Sequence, residues 1–544
     1  MCYRMRRERL LSLKRKASMQ KSIKFSVIGL FLILSTIFSL TALASNQTWH
    51  HQMEITLTPD TSEIHVTDQL SVPERYRNQQ TPTQLDFSLH AGLTITDIQG
   101  AQITLQATDA APRTRPVPLK HYTLTLPPHQ QAFTLTFSGK INHSVQGPGQ
   151  EYARSFSYTP GVISQEGVFL ANSSAWYPQF ADGMVSFRLN IQVPAAWDIV
   201  SQGTLVSEQK TATTQSVIWE ERQPQDDIYI VAGRYQRYAQ STGAVNALVY
   251  LRSADEALAQ KYLDTTAQYI AMYNKLLGPY PYTKFALVEN FWETGYGMPS
   301  FTLLGPKVIR FPFILHSSYP HEILHNYWGN GVFVDYAKGN WAEGLTAYLA
   351  DHLVNEQRGK GDEYRRDVLQ KYTDFVNKEK DFPIAEFVSR HSSSSEAVGY
   401  GKTMMFFHML RQELGDENFV RALRQFYKQF KFKQATFDDL QATFSTIAGK
   451  DFSQHFAQWI HRSGAPNLHL KQAHAERTAQ GFKLKLLVEQ TQPSEPYQLT
   501  IPVSVTLEGE ELAHQSQIIL NQKTNDIEMN FSARPLRIDI DPQF

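Results

Sequence analysis

The segment His321-Glu322-Ile323-Leu324-His325 holds the densest chemistry in this 544-residue chain. Two histidines four apart on a helix project from one face, so both imidazoles can reach one metal ion. Glu322 lies about 100° further round the helix, where it flanks the ion without ligating it. Downstream, Trp341-Ala342-Glu343-Gly344 offers a carboxylate as a third ligand. Two His, one carboxylate and an open water position describe a hydrolytic zinc centre, not a closed structural one. The competing reading of Glu343 is a helix-capping partner for Asn340.

Two helices must position these groups. Ser317-Ser318-Tyr319-Pro320 supplies a hydroxyl cap and a proline in the first turn, and Gly329-Asn330-Gly331 supplies the stop. The second helix opens at Asn340 and runs through Leu349. Ahead of both, Ser253-x-x-Glu256 reads as a capping box for a helix whose apolar face is Leu258, Tyr262, Tyr269, Ile270, Tyr273 and Leu277, ended by Gly278-Pro279. His391 and His408 read as surface or satisfied core histidines, Met404, Phe407 and Leu410 as core, and the run Ser392–Ser395 as a mobile loop.

On either side of this helical stretch the pattern alternates. Met53, Ile55 and Leu57, then Ile64 and Val66, Phe133, Leu135 and Phe137, and Phe187, Leu189 and Ile191 mark strands. After Gly464-Ala465-Pro466 alternation returns through Leu484, Leu486, Leu499, Ile501, Val503, Val505 and Leu507 to Ile538 and Ile540, which fits a small β-sandwich. The expected organisation is a leader over 1–44, an antiparallel β domain over 45–244, an α-rich metal-binding domain over 245–464 and a β-sandwich over 465–544.

Length and a hydrophobic content of 42% require a globular protein of several domains. The apolar run from Phe25 to Leu43 follows a basic segment and ends Ala42-Leu43-Ala44, the pattern of a secretory leader cut after Ala44. Kept uncleaved, the same run is just long enough to anchor the chain in a membrane. Nine of the 52 Lys and Arg but one of the 52 Asp and Glu precede Ser45, so the remainder carries 43 basic and 51 acidic groups, a net charge of −8. That balance excludes a nucleic-acid partner and suits an exported protein, periplasmic or secreted. The one cysteine, Cys2, lies in the leader, leaving His and carboxylates to bind metal.

Four groups of residues in one order resemble the aminopeptidase N family of zinc metallopeptidases, the gluzincins. They are Gly278-Pro279-Tyr280-Pro281-Tyr282; His321 to His325 with Trp328-Gly329-Asn330 and Ala342-Glu343-Gly344; Tyr400-Gly401-Lys402 leading into Leu410 to Asp416; and Phe456-Ala457-Gln458-Trp459 before Gly464-Ala465-Pro466. The resemblance implies a multidomain α+β fold: an N-terminal antiparallel β domain, a thermolysin-like α-rich catalytic domain and a C-terminal β-sandwich. It implies one zinc ion on His321, His325 and Glu343, with Glu322 as general base and Tyr400 as oxyanion donor. Gly297 and Met298 would line the substrate strand, the missing Cβ at 297 letting peptide backbone approach. Peptide or protein substrates are the partners it implies; the oligomeric state is not set by it.

The chain departs from the family in two places. The gap between His325 and Glu343 is one residue short, a deletion expected in the loop at 336–339. Where the family carries Gly-x-Met-Glu-Asn, whose Glu grips the substrate amine, this chain has Gly297-Met298-Pro299-Ser300. Proline offers no charge and no N–H, which leaves Glu289 or Glu293 to supply one and makes the expected activity aminopeptidase-like with altered end recognition. The alternative is a catalytically silent binding or scaffold protein on the same fold.

Overall fold

The computed structural model describes residues 47–109, 117–147, 157–181 and 183–544. The expected leader lies outside them, and among the described residues no helix is long and apolar enough to cross a membrane. The chain divides into two compact units, one reaching Val145 and resuming over Thr159–Tyr235, the other Gln236–Phe544 with a short piece between Gln146 and Tyr158.

The first unit is built from amphipathic strands. In Trp49–Thr58, Met53, Ile55 and Leu57 are buried while Glu54, Thr56 and Thr58 are exposed. Together with Glu63–Ser71, Ala132–Lys140 and Val185–Pro194 it forms the middle of a seven-stranded sheet. A slip of one residue would turn each apolar face to solvent, so the alternation itself fixes register. Pairing is antiparallel except at one junction, where Trp49–Thr58 runs parallel to Val185–Pro194. More than a hundred residues separate these strands, so no hairpin dictates their relative direction. Trp49, Trp176 and Trp219 are fully buried in the core of this unit.

The second unit carries the zinc motif. Its five-stranded sheet has the order Gln236–Ser241, Asn246–Leu251, Lys284–Glu289, Phe301–Leu304, Gly295–Met298. The helix Glu256–Leu277 is the crossover between the parallel strands Asn246–Leu251 and Lys284–Glu289. Its cap is Asp255, whose carboxylate accepts the Leu258 N–H at 2.9 Å, not Ser253. Ser253 lies two residues too early for the turn that forms. The expected face, Tyr262, Tyr269, Ile270, Tyr273 and Leu277, is buried, with Leu258 at its margin.

Further helices follow: Ser318–Leu324, which packs on the sheet, Trp341–Thr346 continuing through Ala347–His352 to Gln357, Gly361–Phe375, and Thr403–Phe430 broken at Gly415, where φ is +73°. Trp328 and Trp341 meet edge to face at 6.1 Å, and the Trp341 indole N–H donates to Ala435 O at 2.8 Å. Truncating such an aromatic costs about 3–5 kcal/mol, so both motif helices are anchored by tryptophans beside their functional residues. The serine run is no loop. It opens the short helix Ser393–Glu396, with Ser392 Oγ accepting the Ser395 N–H at 3.1 Å and Ser395 Oγ accepting the Ser392 N–H at 2.8 Å. The C-terminal strands form two three-stranded sheets, with Leu484, Leu486 and Val488 buried from one and Ile501, Val503 and Val505 from the other.

Candidate metal centre

His321 and His325 sit on and just past the helix Ser318–Leu324. The Ser317 hydroxyl does not cap it but donates to Phe313 O at 3.0 Å. Glu343 comes from the facing helix, whose cap is Asn340: its Oδ1 accepts the Ala342 N–H at 3.2 Å. The Glu343 carboxylate does not turn back to that cap. It points at the histidines, with Oε2 3.4 Å from His321 Nε2 and 3.3 Å from His325 Nε2. The connection between the two helices makes a tight turn at Tyr336–Lys338, capped by Asp335.

The donor set fits zinc. One atom from each of His321, His325 and Glu343 lies within 4.8 Å of the others. Glu343 Oε2 is buried and accepts no hydrogen bond, although two imidazole nitrogens face it. With a metal bound, those nitrogens would present lone pairs to it, since each ring's Nδ1 has an acceptor for its proton. His325 Nδ1 lies 3.0 Å from Trp328 O, which can only accept, and His321 Nδ1 lies 3.0 Å from Asp351 Oδ2. A backbone carbonyl and a carboxylate behind two imidazoles is the arrangement that turns Nε2 towards a metal.

Electrostatics point the same way. Burial works against a charge on His321, but Asp351 and Glu343 outweigh it and hold the imidazole well above its ordinary range. Burial likewise opposes ionisation of Glu343, and the two histidines overcome it and hold its carboxyl well below the usual range. A field that favours a proton at this point favours a metal cation too. Glu322 stands beside the set, its pKa raised by burial and only partly restored by His325 and His321.

Gly297 belongs here because a Cβ on it would overlap Glu322 Oε2 and lie 3.5 Å from the His325 side chain. Among the described residues its strand, Gly295–Met298, is the edge of the five-stranded sheet and pairs with Phe301–Leu304. Met298 is buried at the end of that edge. The Tyr400 ring lies nearly parallel to the His321 imidazole, at 6.1 Å and 15°. Burial and the Glu343 charge hold its hydroxyl well above the ordinary phenol range, so it remains a donor. Gly344 permits this approach, since a Cβ there would overlap the Thr403 side chain.

Glu289 is engaged elsewhere, while Glu293 keeps its Oε2 buried without a hydrogen-bond partner among the described residues. Glu289 is buried, accepts from Arg310 Nη1 at 2.8 Å and takes the Arg252 N–H at 2.7 Å. Glu293 Oε1 accepts the Lys307 N–H at 3.0 Å. His408 is a satisfied core histidine, its Nδ1 3.1 Å from the Tyr348 hydroxyl, and His391 is exposed.

Asp351, Arg390 and Asn326 escaped the sequence reading. Asp351 is eight residues past Glu343, about 80° away on a regular helix. The wider turns over Ala347–His352 turn less per residue and bring it round to His321. Arg390, whose guanidinium lies 5.5 Å over the Tyr400 ring, had no local signal at all.

Residues 316–459 match the Peptidase family M1 domain. Over 237 residues the chain is 24% identical to "Aminopeptidase 2, mitochondrial" of Saccharomyces cerevisiae, covering 40% of this chain and 25% of that protein. Over 380 residues it is 18% identical to "Probable aminopeptidase 2" of Sulfurisphaera tokodaii, covering 65% of this chain and 47% of that protein. The chain thus spans less than half the length of either relative. The M1 zinc metallopeptidase of Deinococcus radiodurans has a similar fold, with a TM-score of 0.55 at 15% identity, covering 78% of this chain and 94% of that one. By these matches and by its motifs, residues 316–459 of this chain carry a Peptidase family M1 domain, which supports the aminopeptidase N-like gluzincin resemblance.

Proposed function

We propose that the protein is an exported zinc-dependent metallopeptidase, aminopeptidase-like but with altered recognition of the substrate's end. The observation that carries this is the convergence of His321 Nε2, His325 Nε2 and Glu343 Oε2 beside the half-buried Glu322. The three donors would hold one zinc ion, which when bound would activate water and polarise the scissile carbonyl. Glu322 takes a proton from the attacking water and delivers it to the leaving amine; its raised pKa suits both transfers. Tyr400 donates its hydroxyl hydrogen bond to the oxyanion as charge develops there. The edge strand Gly295–Met298 receives the peptide in extended form, close to Glu322 because residue 297 has no side chain. Export rests on the basic and apolar leader, and periplasm or medium is the destination it suits.

End recognition is where this chain differs. A bound ammonium needs a countercharge, but Pro299 supplies none, and Glu289 is neutralised by Arg310. Glu293 is not neutralised, its Oε2 being buried without a hydrogen-bond partner among the described residues, so a weakened dependence on a free N-terminus is the expected consequence. Paired peptides, free and acetylated, assayed with and without a zinc chelator, test this. Chelator-sensitive cleavage of both supports the proposal. Cleavage of the free peptide alone would restore a strict aminopeptidase, and cleavage of neither by zinc-loaded protein would favour a silent binding protein.

A further inference from the structure

We propose that Asn326 is a positioning residue that fixes the substrate-side strand against the helix bearing Glu322; the inference rests on the peptidase reading above and deepens it. Asn326 follows His325 directly and is fully buried. Its Oδ1 accepts the backbone N–H of Ser300 at 2.6 Å, and its Nδ2 donates to the carbonyls of Glu322 and Ile323, each at 3.2 Å. One planar amide therefore ties the turn Pro299–Ser300 to the helical turn that carries the acid–base carboxylate.

That turn needs holding. Ser300 has φ of +67°, a conformation that L residues adopt mainly where the surroundings impose it. The buried Lys284 adds a second tie, its Nζ donating to Ser300 Oγ at 2.7 Å. Among the described residues the strand Gly295–Met298 pairs with Phe301–Leu304 across this turn, so holding the turn helps to set the strand's position relative to Glu322. Clearance there is already minimal, because even a Cβ at 297 would overlap Glu322 Oε2. A shift of about 1 Å in such a constellation costs on the order of 100-fold in rate.

An amide of merely structural importance would lower stability or weaken every ligand alike. A positioning amide weakens those ligands that lie along the strand. The test uses the full zinc-loaded chain with Asn326→Asp, which keeps the acceptor for Ser300 and loses the two donated bonds, and Asn326→Ser, which loses all three. Zinc content, kcat and KM on a peptide are measured, with inhibition by acetohydroxamate, which reaches only the metal, and by a tripeptide hydroxamate, which extends along the strand. Zinc content and acetohydroxamate affinity should stay within about twofold, while tripeptide hydroxamate affinity falls about tenfold and kcat falls about 10- to 100-fold, more for Ser than for Asp. Equal weakening of both inhibitors, or of neither, overturns the proposal. Should Asn326→Ser not fold, the same inhibitor ratio in Asn326→Asp decides. Wild-type protein that binds the tripeptide hydroxamate yet cleaves no peptide would sink the peptidase reading, while the ratio would still report on Asn326.

Discussion

Replacing Asp351 by Asn isolates the contribution of a residue that touches no metal. Asp351 Oδ2 lies 3.0 Å from His321 Nδ1, with the histidine side chain 10% exposed and the aspartate 21%. The carboxylate fixes the ring's orientation and tautomer and makes Nε2 a better donor. An asparagine keeps one acceptor oxygen but loses the charge that outweighs burial at His321. Loss of such a partner typically weakens metal binding 10- to 100-fold, or about 1.4–2.8 kcal/mol at 1.4 kcal/mol per tenfold. The partly exposed carboxylate has water available after substitution, so the fold itself should lose less than this. Competition with a chromophoric chelator at neutral pH measures the zinc Kd, and thermal melting of zinc-free protein controls for folding. A zinc Kd within twofold of wild type would refute the reasoning, showing that packing alone orients His321.

The remaining substitutions test separate parts of the site. Glu322→Ala should retain zinc and lose turnover by about 100- to 10,000-fold; metal analysis with peptide kinetics checks both, and substantial residual activity would remove Glu322 as the base. Tyr400→Phe should lower kcat by about 100- to 1000-fold with zinc kept, and an unchanged rate would leave Tyr400 as packing against His321. Gly297→Ala should displace Glu322 and cost on the order of 100-fold in kcat; an unaffected kcat would mean that the edge strand yields freely. Three histidines should also draw stability down in acid. Burial, followed by His143 or Arg365, depresses His90 to about 4, His352 to about 4 and His408 to about 3. Unfolded, each takes a proton near pH 6.5; folded, it does not. The contribution of these three histidines is therefore complete above that pH and is lost as pH falls towards 4, by up to roughly 1.4 kcal/mol per unit for each group, against the opposite trend of Asp226 and Asp227, whose carboxyls burial raises to about 6 and about 8. His408→Gln should shallow the fall of Tm between neutral pH and about 4.5 relative to wild type, and an unchanged slope would contradict this.

Much of the architecture was legible because its signals are local. A strand's alternation and a helix's 3.6-residue period are properties of consecutive residues, and the cores of both units follow them at Met53–Leu57, Phe187–Ile191 and Tyr262–Leu277. Local signals also misled where several residues competed for one role. Asp255 took the cap assigned to Ser253, and paired hydroxyls turned an apparent polar loop into a helix start at Ser392. Glu343 had two local readings, and only the position of the facing helix chose between them.

The sequence by itself determined the donor types, the spacing that puts His321 and His325 on one helical face, and the absence of a carboxylate at position 299. Tertiary structure alone decided which distant groups complete the site. It brought Asp351 behind His321 through turns wider than a regular helix, spent Glu289 on Arg310, and clamped Ser300 to the zinc helix through Asn326. These are contacts between elements, set by how helices and sheet pack, and no periodicity in the chain encodes them.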